Sequence, residues 1–289
     1  MRSSQVVEQI GSLSPSRAAD FMSCPMLFRF RTVDRLPETS SPDAVRGTLI
    51  HRVLEDIFDL PARERTPAAA AEALEPTWRG LCEQDPTLAE VVGSGETEQA
   101  WLDSAQEVMA RWFDLEDPTR LEPAERETRL EHLLDSGLLL RGIVDRIDIA
   151  PDGALRVVDY KTGKAPAAGF EARALFQLRF YALMIWRSRG VIPRLLQLIY
   201  LGNAVIVSYE PDEADLLAAE RKIDALWAAI RLARETGDYQ PSPGKICDWC
   251  SHQALCPAFG GTPPPLPIEP EAPSTRRWWH RLRGLLRRD

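Results

Sequence analysis

The chain has 289 residues, is 44% hydrophobic and 27% charged, and carries a formal net charge of −8. That composition is globular and long enough to bury a substantial core. The absence of any apolar run of about 18 residues excludes a membrane-spanning helix. An acidic balance also excludes a protein that coats nucleic acid by bulk charge, since phosphate neutralisation needs Lys and Arg. The charge is uneven, however: the last 14 residues hold six Arg and one Asp, a side-chain sum of +5 that leaves −13 for the rest. Only four basic residues are Lys, at positions 161, 164, 222 and 245.

In chain order, Ser14-Pro15 reads as the cap and first residue of a short helix running toward Phe21 and stopping near Cys24-Pro25. The segment from Pro42 to Leu60 is an amphipathic helix with Val45, Leu49, Val53 and Ile57 at helical spacing. Residues 67–82 and the segment from Trp101 to Leu115 predict further helices. Residues 127–134, 137–149 and 154–161 then read as three strands, with turns at Asp135-Ser136-Gly137 and Pro151-Asp152-Gly153. A helix over roughly 171–188, strands at LLQLIYL and AVIVSYE, and a long helix over roughly 212–235 complete the pattern. Helices followed by βββαββα predict an α/β sheet with helices on its faces. After Phe259 a Pro-rich stretch reads as an extended, poorly ordered linker, followed by a short basic amphipathic helix ending the chain.

Asp159 and Lys161 stand two apart at a strand end and so share a face, where a carboxylate can hold a divalent cation and an ammonium can steady a water or phosphate oxygen. Asp145 is a carboxylate inside an apolar strand, costly unless paired. An antiparallel turn could set it beside Asp159 around a cation, or a salt bridge to Arg141 or Arg146 could satisfy it. His51 lies on the amphipathic helix in a stripe with Gly47 and Glu55, as a metal ligand or a satisfied core histidine. Gln177 and Tyr181 form an i, i+4 pair on the helix after Lys161. Glu127, on the strand before Asp145, is a further acidic candidate. Cys247-x2-Cys250-x5-Cys256 gathers three thiols, to which Cys24 could add a fourth from 223 residues upstream; four Cys can hold zinc or a [4Fe–4S] cluster. Cys82 fits no such pattern.

Taken together, Gly47-Thr48-Leu49-Ile50-His51, Gly142-x-x-Asp145, Asp159-Tyr160-Lys161-Thr162 and Gln177-x3-Tyr181 resemble, in order and spacing, the RecB-like branch of the PD-(D/E)XK nucleases. That branch includes AddB-type nuclease domains and CRISPR-associated RecB-like exonucleases, and the resemblance covers residues from about 12 to 259. It implies a restriction-endonuclease-like core, a small mixed sheet flanked by helices with a helical N-terminal portion. It implies Asp145, Asp159, the Tyr160 carbonyl and His51 as ligands to Mg2+ or Mn2+, Lys161 orienting the attacking water, and Gln177 and Tyr181 lining the DNA path. It also implies a [4Fe–4S] cluster on Cys24, Cys247, Cys250 and Cys256. The expected organisation is a nuclease domain over 1–259, a linker over 260–275 and a basic tail over 276–289. The expected activity is that of a cytoplasmic deoxyribonuclease, exonucleolytic and favouring single-stranded DNA, in repair or recombination. No Gly-x4-Gly-Lys-[Ser/Thr] loop is present, so unwinding would fall to a separate helicase. Two rivals are a catalytically silent DNA-binding or helicase-scaffold module and a zinc-stabilised interaction domain.

Overall fold

The computed structural model describes residues 11–166 and 172–267. The basic tail over 276–289 and the second half of the predicted linker, 268–275, lie outside the described residues.

A two-residue strand, β1 (Ser12–Leu13), leads into α1 (Pro15–Ser23), where the Ser14 side chain accepts a hydrogen bond from the Arg17 N–H and Pro15 stands at the first helical position. After α1 come a short α2 (Pro25–Phe28) and one π-helical turn, Arg29–Val33. Then α3 (Pro42–Asp56) starts on a Ser41 cap, and α4 (Pro67–Gln84), α5 (Thr87–Val92) and α6 (Glu96–Leu115) follow. The strands β2 (Glu125–Leu133), β3 (Leu139–Ile149) and β4 (Leu155–Lys161) form an antiparallel meander. The chain crosses through α7 (Ala172–Arg189) to β5 (Leu195–Tyr200), parallel to β4, then turns back along β6 (Val205–Tyr209) and ends its regular part in α8 (Glu213–Thr236). The α/β expectation therefore holds, and the predicted strands fall within two residues of the observed ones.

Among the described residues the sheet is mixed and six-stranded, in the order β1-β3-β4-β5-β6 with β2 on the outer side of β3. Each face buries its own core. On one, Leu140, Val144, Val157 and Leu198 meet Phe180 and Leu183 of α7, Ile223 of α8 and Phe21 of α1. On the other, Val158, Tyr160 and Ile199 meet Leu49 and Val53 of α3, Trp78 of α4, and Trp112 of α6. Alternation along β4 and β5 assigns these sides, as the pleat requires.

Two expectations need amendment. β1, α2 and the π-helical turn carry no periodicity long enough to be read, and the structure supplies them. The Pro-rich stretch also begins attached: the Pro264 carbonyl accepts a hydrogen bond from buried Arg29, and a Leu266 methyl lies 3.0 Å from where a Cβ on Gly237 would stand. The folded body thus extends past Phe259, at least to the last residues described there, because a proline-rich backbone offers carbonyls and apolar rings to a neighbouring surface.

Candidate active site and thiol pocket

The candidate residues converge where the sheet loses its regularity. In the β2–β3 ladder, Arg126 faces Arg146 and Thr128 faces Val144, but Glu127 and Asp145 between them are not a ladder pair. The β3–β4 ladder likewise begins only at Arg146 and Val158. Val144 and Ile147, three apart, both enter the α7-side core, so the alternation slips by one at Asp145-Arg146. Glu127 adopts φ of +44°, the left-handed region that L side chains rarely occupy. Such irregularities re-aim side chains, and they concentrate at functional sites.

The Asp145 carboxylate takes over part of the missing pairing by accepting a hydrogen bond from the Tyr160 N–H at 2.6 Å. Its Oδ2 lies 3.4 Å from His51 Nδ1 on α3. His51, Glu127 and Asp145 bring one donor atom each within 4.8 Å of one another, the spacing a single cation needs. Gly47 sits one turn before His51; a Cβ there would come 3.3 Å from Thr162 Oγ1, so glycine permits the close approach of α3 to the end of β4.

Asp159 stands on the α7-facing side of β4, where its Oδ1 accepts from Gln177 Nε2 at 2.9 Å. Its Oδ2 is buried without an aligned hydrogen bond and contacts the Lys161 ammonium. Tyr181 completes the row, its hydroxyl 3.4 Å from Gln177 Nε2. Of the expected ligands, the structure thus packs His51 and Asp145 together with Glu127. It holds Asp159 beside Lys161 and Gln177, and turns the Tyr160 ring into the opposite core.

The electrostatics match. Burial, then the neighbouring Asp159 charge, pushes the Asp145 carboxyl well above the usual range. Burial chiefly, then Glu55 and Asp159, raises Glu127 too. Burial pulls His51 down, keeping its imidazole neutral, the form a metal ligand takes. Buried carboxylates that resist ionisation together, beside a neutral imidazole, form a donor set that a divalent cation would relieve. The residues present fit such an ion.

The alternative satisfaction of Asp145 is not what the structure shows. Arg141 pairs with Glu131 at 3.1 Å. Arg146, 1% exposed, forks onto Glu116 at 2.7 and 2.9 Å, reaches Asp148, and hydrogen-bonds the Tyr160 hydroxyl. This buried network braces Tyr160 from the far side of the strand.

A second cluster lies at the far end of α1. Cys24, the C-cap of that helix, lines one pocket with Cys247, Cys250 and Cys256. All four are free thiols, and Cys24 and Cys256 are buried. The Ser242 and Gly244 N–H groups each donate to a sulfur, Cys24 and Cys247 respectively, at 3.4 Å. Burial pushes the Cys250 thiol up, although a hydrogen bond from the His252 backbone pulls it down; the other three sulfurs add smaller upward pushes. Cys82 is remote from this pocket, on α4 against the other core.

The sequence profile of the PD-(D/E)XK nuclease superfamily matches residues 12–257. The chain belongs to this superfamily. Nucleases of the PD-(D/E)XK superfamily use divalent metals, in keeping with the donor set around Asp145. One of the subunits of the ATP-dependent helicase/deoxyribonuclease of Streptococcus mutans is 27% identical over 164 residues, 55% of this chain but 14% of that one. The chain therefore spans only about a seventh of that relative. The gene 69 protein of mycobacteriophage D29 is 25% identical over 277 residues, covering 85% of this chain and 96% of that protein. A solved structure of a proposed exonuclease from Eubacterium rectale shares the fold, with a TM-score of 0.56 and 16% identity over 86% of this chain and 90% of that one. Among the described residues no helix is long and apolar enough to cross a membrane.

Proposed function

We propose that this PD-(D/E)XK protein is a metal-dependent deoxyribonuclease that cuts single-stranded DNA from an end and works beside a separate helicase. The observation that carries the reading is the meeting of His51, Glu127 and Asp145 at the slip in β3, next to the Asp159–Lys161 pair. His51, Asp145, Asp159 and the Tyr160 carbonyl would hold Mg2+ or Mn2+, with Glu127 an additional oxygen donor. The oxygens suit Mg2+ and the imidazole favours Mn2+. When bound, the ion supplies charge stabilisation at the phosphate and a more acidic water.

The protein's own groups do the rest. Lys161, one-third exposed and tethered by Asp159, reaches solvent where water and phosphate meet, so its ammonium orients the attacking oxygen and balances charge as the P–O bond breaks. Gln177 holds Asp159 in place, and Tyr181 stays a neutral phenol because burial pushes its pKa up. The helicase partnership is supported by the name of the streptococcal relative.

The four-thiol pocket would hold a [4Fe–4S] cluster, a structural clamp between the two ends of the domain. Closing so long a loop removes several kcal/mol of denatured-state entropy, roughly 5 in the chain-entropy account. Anaerobic preparation should yield brown protein with about four irons per chain by the Cys-ligated stoichiometry; about one zinc and no iron would replace the cluster with a zinc site. The nuclease reading is tested on end-labelled single- and double-stranded DNA with Mg2+ or Mn2+. Wild type should degrade the single strand, and Asp159→Ala or Lys161→Ala should lower the rate by orders of magnitude while folding is kept. Equal rates in Asp159→Ala and wild type would sink it.

A further inference from the structure

β3 is only partly covered on the side facing β4. There it pairs with β1 through Leu139 and Leu140, and with β4 from Arg146 to Ile149. Among the described residues, 141–145 have no strand partner on that side, and β2 occupies the other. The interruption opens a cleft of about 650 Å³ whose walls include Arg129, Glu131, Arg141, Ile143, Lys161 and Gln177. The cleft is thus continuous with the candidate active site through the last two residues.

The ladder register sets the chemistry of its floor. Arg129 lies opposite Ile143, and Glu131 opposite Arg141, so these four side chains share one face. That face is open: Ile143 is 44% exposed. Two guanidiniums stand against the one Glu131 carboxylate, with the Lys161 ammonium held by Asp159, in a chain whose balance is strongly acidic. Arg141 is only loosely committed, because its Nε lies 3.1 Å from Glu131 Oε1 without an aligned hydrogen bond. An exposed pair of this kind is weak, and its guanidinium can be taken by a phosphate, which it can grip through two N–H groups.

Resting on the nuclease reading, we infer that this cleft is the track of a single DNA strand, with Arg129 and Arg141 holding phosphates next to the one being cut and Ile143 supporting a base. Its size is that of a site for one small ligand, hence for one or two nucleotides. Glu131 is the brake on this surface, since its charge opposes a phosphate at Arg141.

The test uses the full chain and fluorescent oligothymidylate, with cleavage measured in Mg2+ and equilibrium binding in EDTA. Arg129→Gln/Arg141→Gln should raise KM and the EDTA Kd about tenfold, the scale of lost charge-assisted hydrogen bonds. Saturated turnover should stay within about twofold, since uniform binding is what is removed. The slope of log affinity against log salt should shrink by about 1.4, at roughly 0.7 per phosphate contact on single strands. Glu131→Gln should shift affinity the opposite way. Arg120→Gln/Arg194→Gln, at the far end of the sheet, should change neither quantity. An unchanged slope in the Arg129/Arg141 variant, or an equal change in the Arg120/Arg194 control, overturns the track. A wild type that binds in EDTA with the expected slope but cuts nothing would overturn the nuclease reading instead.

Discussion

Removing the Glu116 carboxylate should destabilise the protein, because it leaves Arg146 as an under-compensated buried cation. Glu116 and Arg146 side chains are 6% and 1% exposed, so solvent screens their attraction very little. Glu116 takes two hydrogen bonds from Arg146 and one from the Trp112 indole, and lies 3.2 Å from Arg156. Losing one partner of a buried pair costs about 3–5 kcal/mol. Arg146 retains Asp148 at 3.2 Å, which places Glu116→Ala near the lower end, about 3 kcal/mol, or a fall in Tm of roughly 6–12 °C for a domain of this size. Glu116→Gln keeps acceptor oxygen but not charge, and should lose roughly half as much. The pH dependence has a definite sign. Burial alone would push Glu116 up, but the Arg146 hydrogen bonds and charge carry it below the ordinary range. A lowered folded pKa means the stabilisation is present above the unfolded value and fades as pH falls through the folded one. Urea unfolding from pH 7 downward should therefore show wild type converging on Glu116→Gln in acid. A Glu116→Ala midpoint equivalent to within about 0.5 kcal/mol of wild type at pH 7, the range of ordinary surface substitutions, would refute the reasoning.

Metal-free protein should lose stability as pH rises through the elevated Asp145 value, because the folded state then gives up a proton it holds more tightly than the unfolded chain. Mg2+ or Mn2+ should cancel that loss and release protons on binding, which calorimetry in two buffers of different ionisation enthalpy can detect. His51→Ala should weaken metal binding with little change in melting temperature; a lower Tm with normal metal affinity and turnover would make His51 a core residue. Gly142→Ala would set a Cβ 3.0 Å from the Tyr181 ring, and should cost about 1–3 kcal/mol of overpacking and raise KM for DNA. Ending the chain after residue 267 should leave thermal melting unchanged, whereas ending it after 259 should lower it by losing the Pro264 and Leu266 contacts; equal melting of the two would show those contacts to be idle.

The long elements were legible because their periodicities are: α3, α6 and α8 repeat apolar residues every three or four positions, and the meander carries Gly at both turns. Asp145 announced itself as a carboxylate in an apolar strand. Which partner satisfied it could not be read, because that depends on the slip at Asp145-Arg146. The slip sends Arg146 toward Glu116, some 30 residues upstream on the segment after α6. The nearness of Glu127 was implicit in the hairpin register, yet its left-handed backbone has no signature in a non-glycine residue. Cys24 is an intermediate case: spacing alone groups the downstream trio, the family resemblance adds a cysteine 223 residues earlier, and the fold brings all four into one pocket. The cleft was invisible for a simpler reason, since it is made by strand pairings that do not form.

Helix α1 connects two places that are otherwise separate. Ser14 at its start borders the cleft and Cys24 at its end borders the thiol pocket. Nine helical residues make a rod of about 13.5 Å that neither bends nor stretches appreciably. A displacement of Cys24 at one end is therefore carried toward the wall of the cleft at the other. An oxidant that displaced Cys24 would shift the wall of the cleft while leaving Asp145, Asp159 and Lys161 chemically untouched.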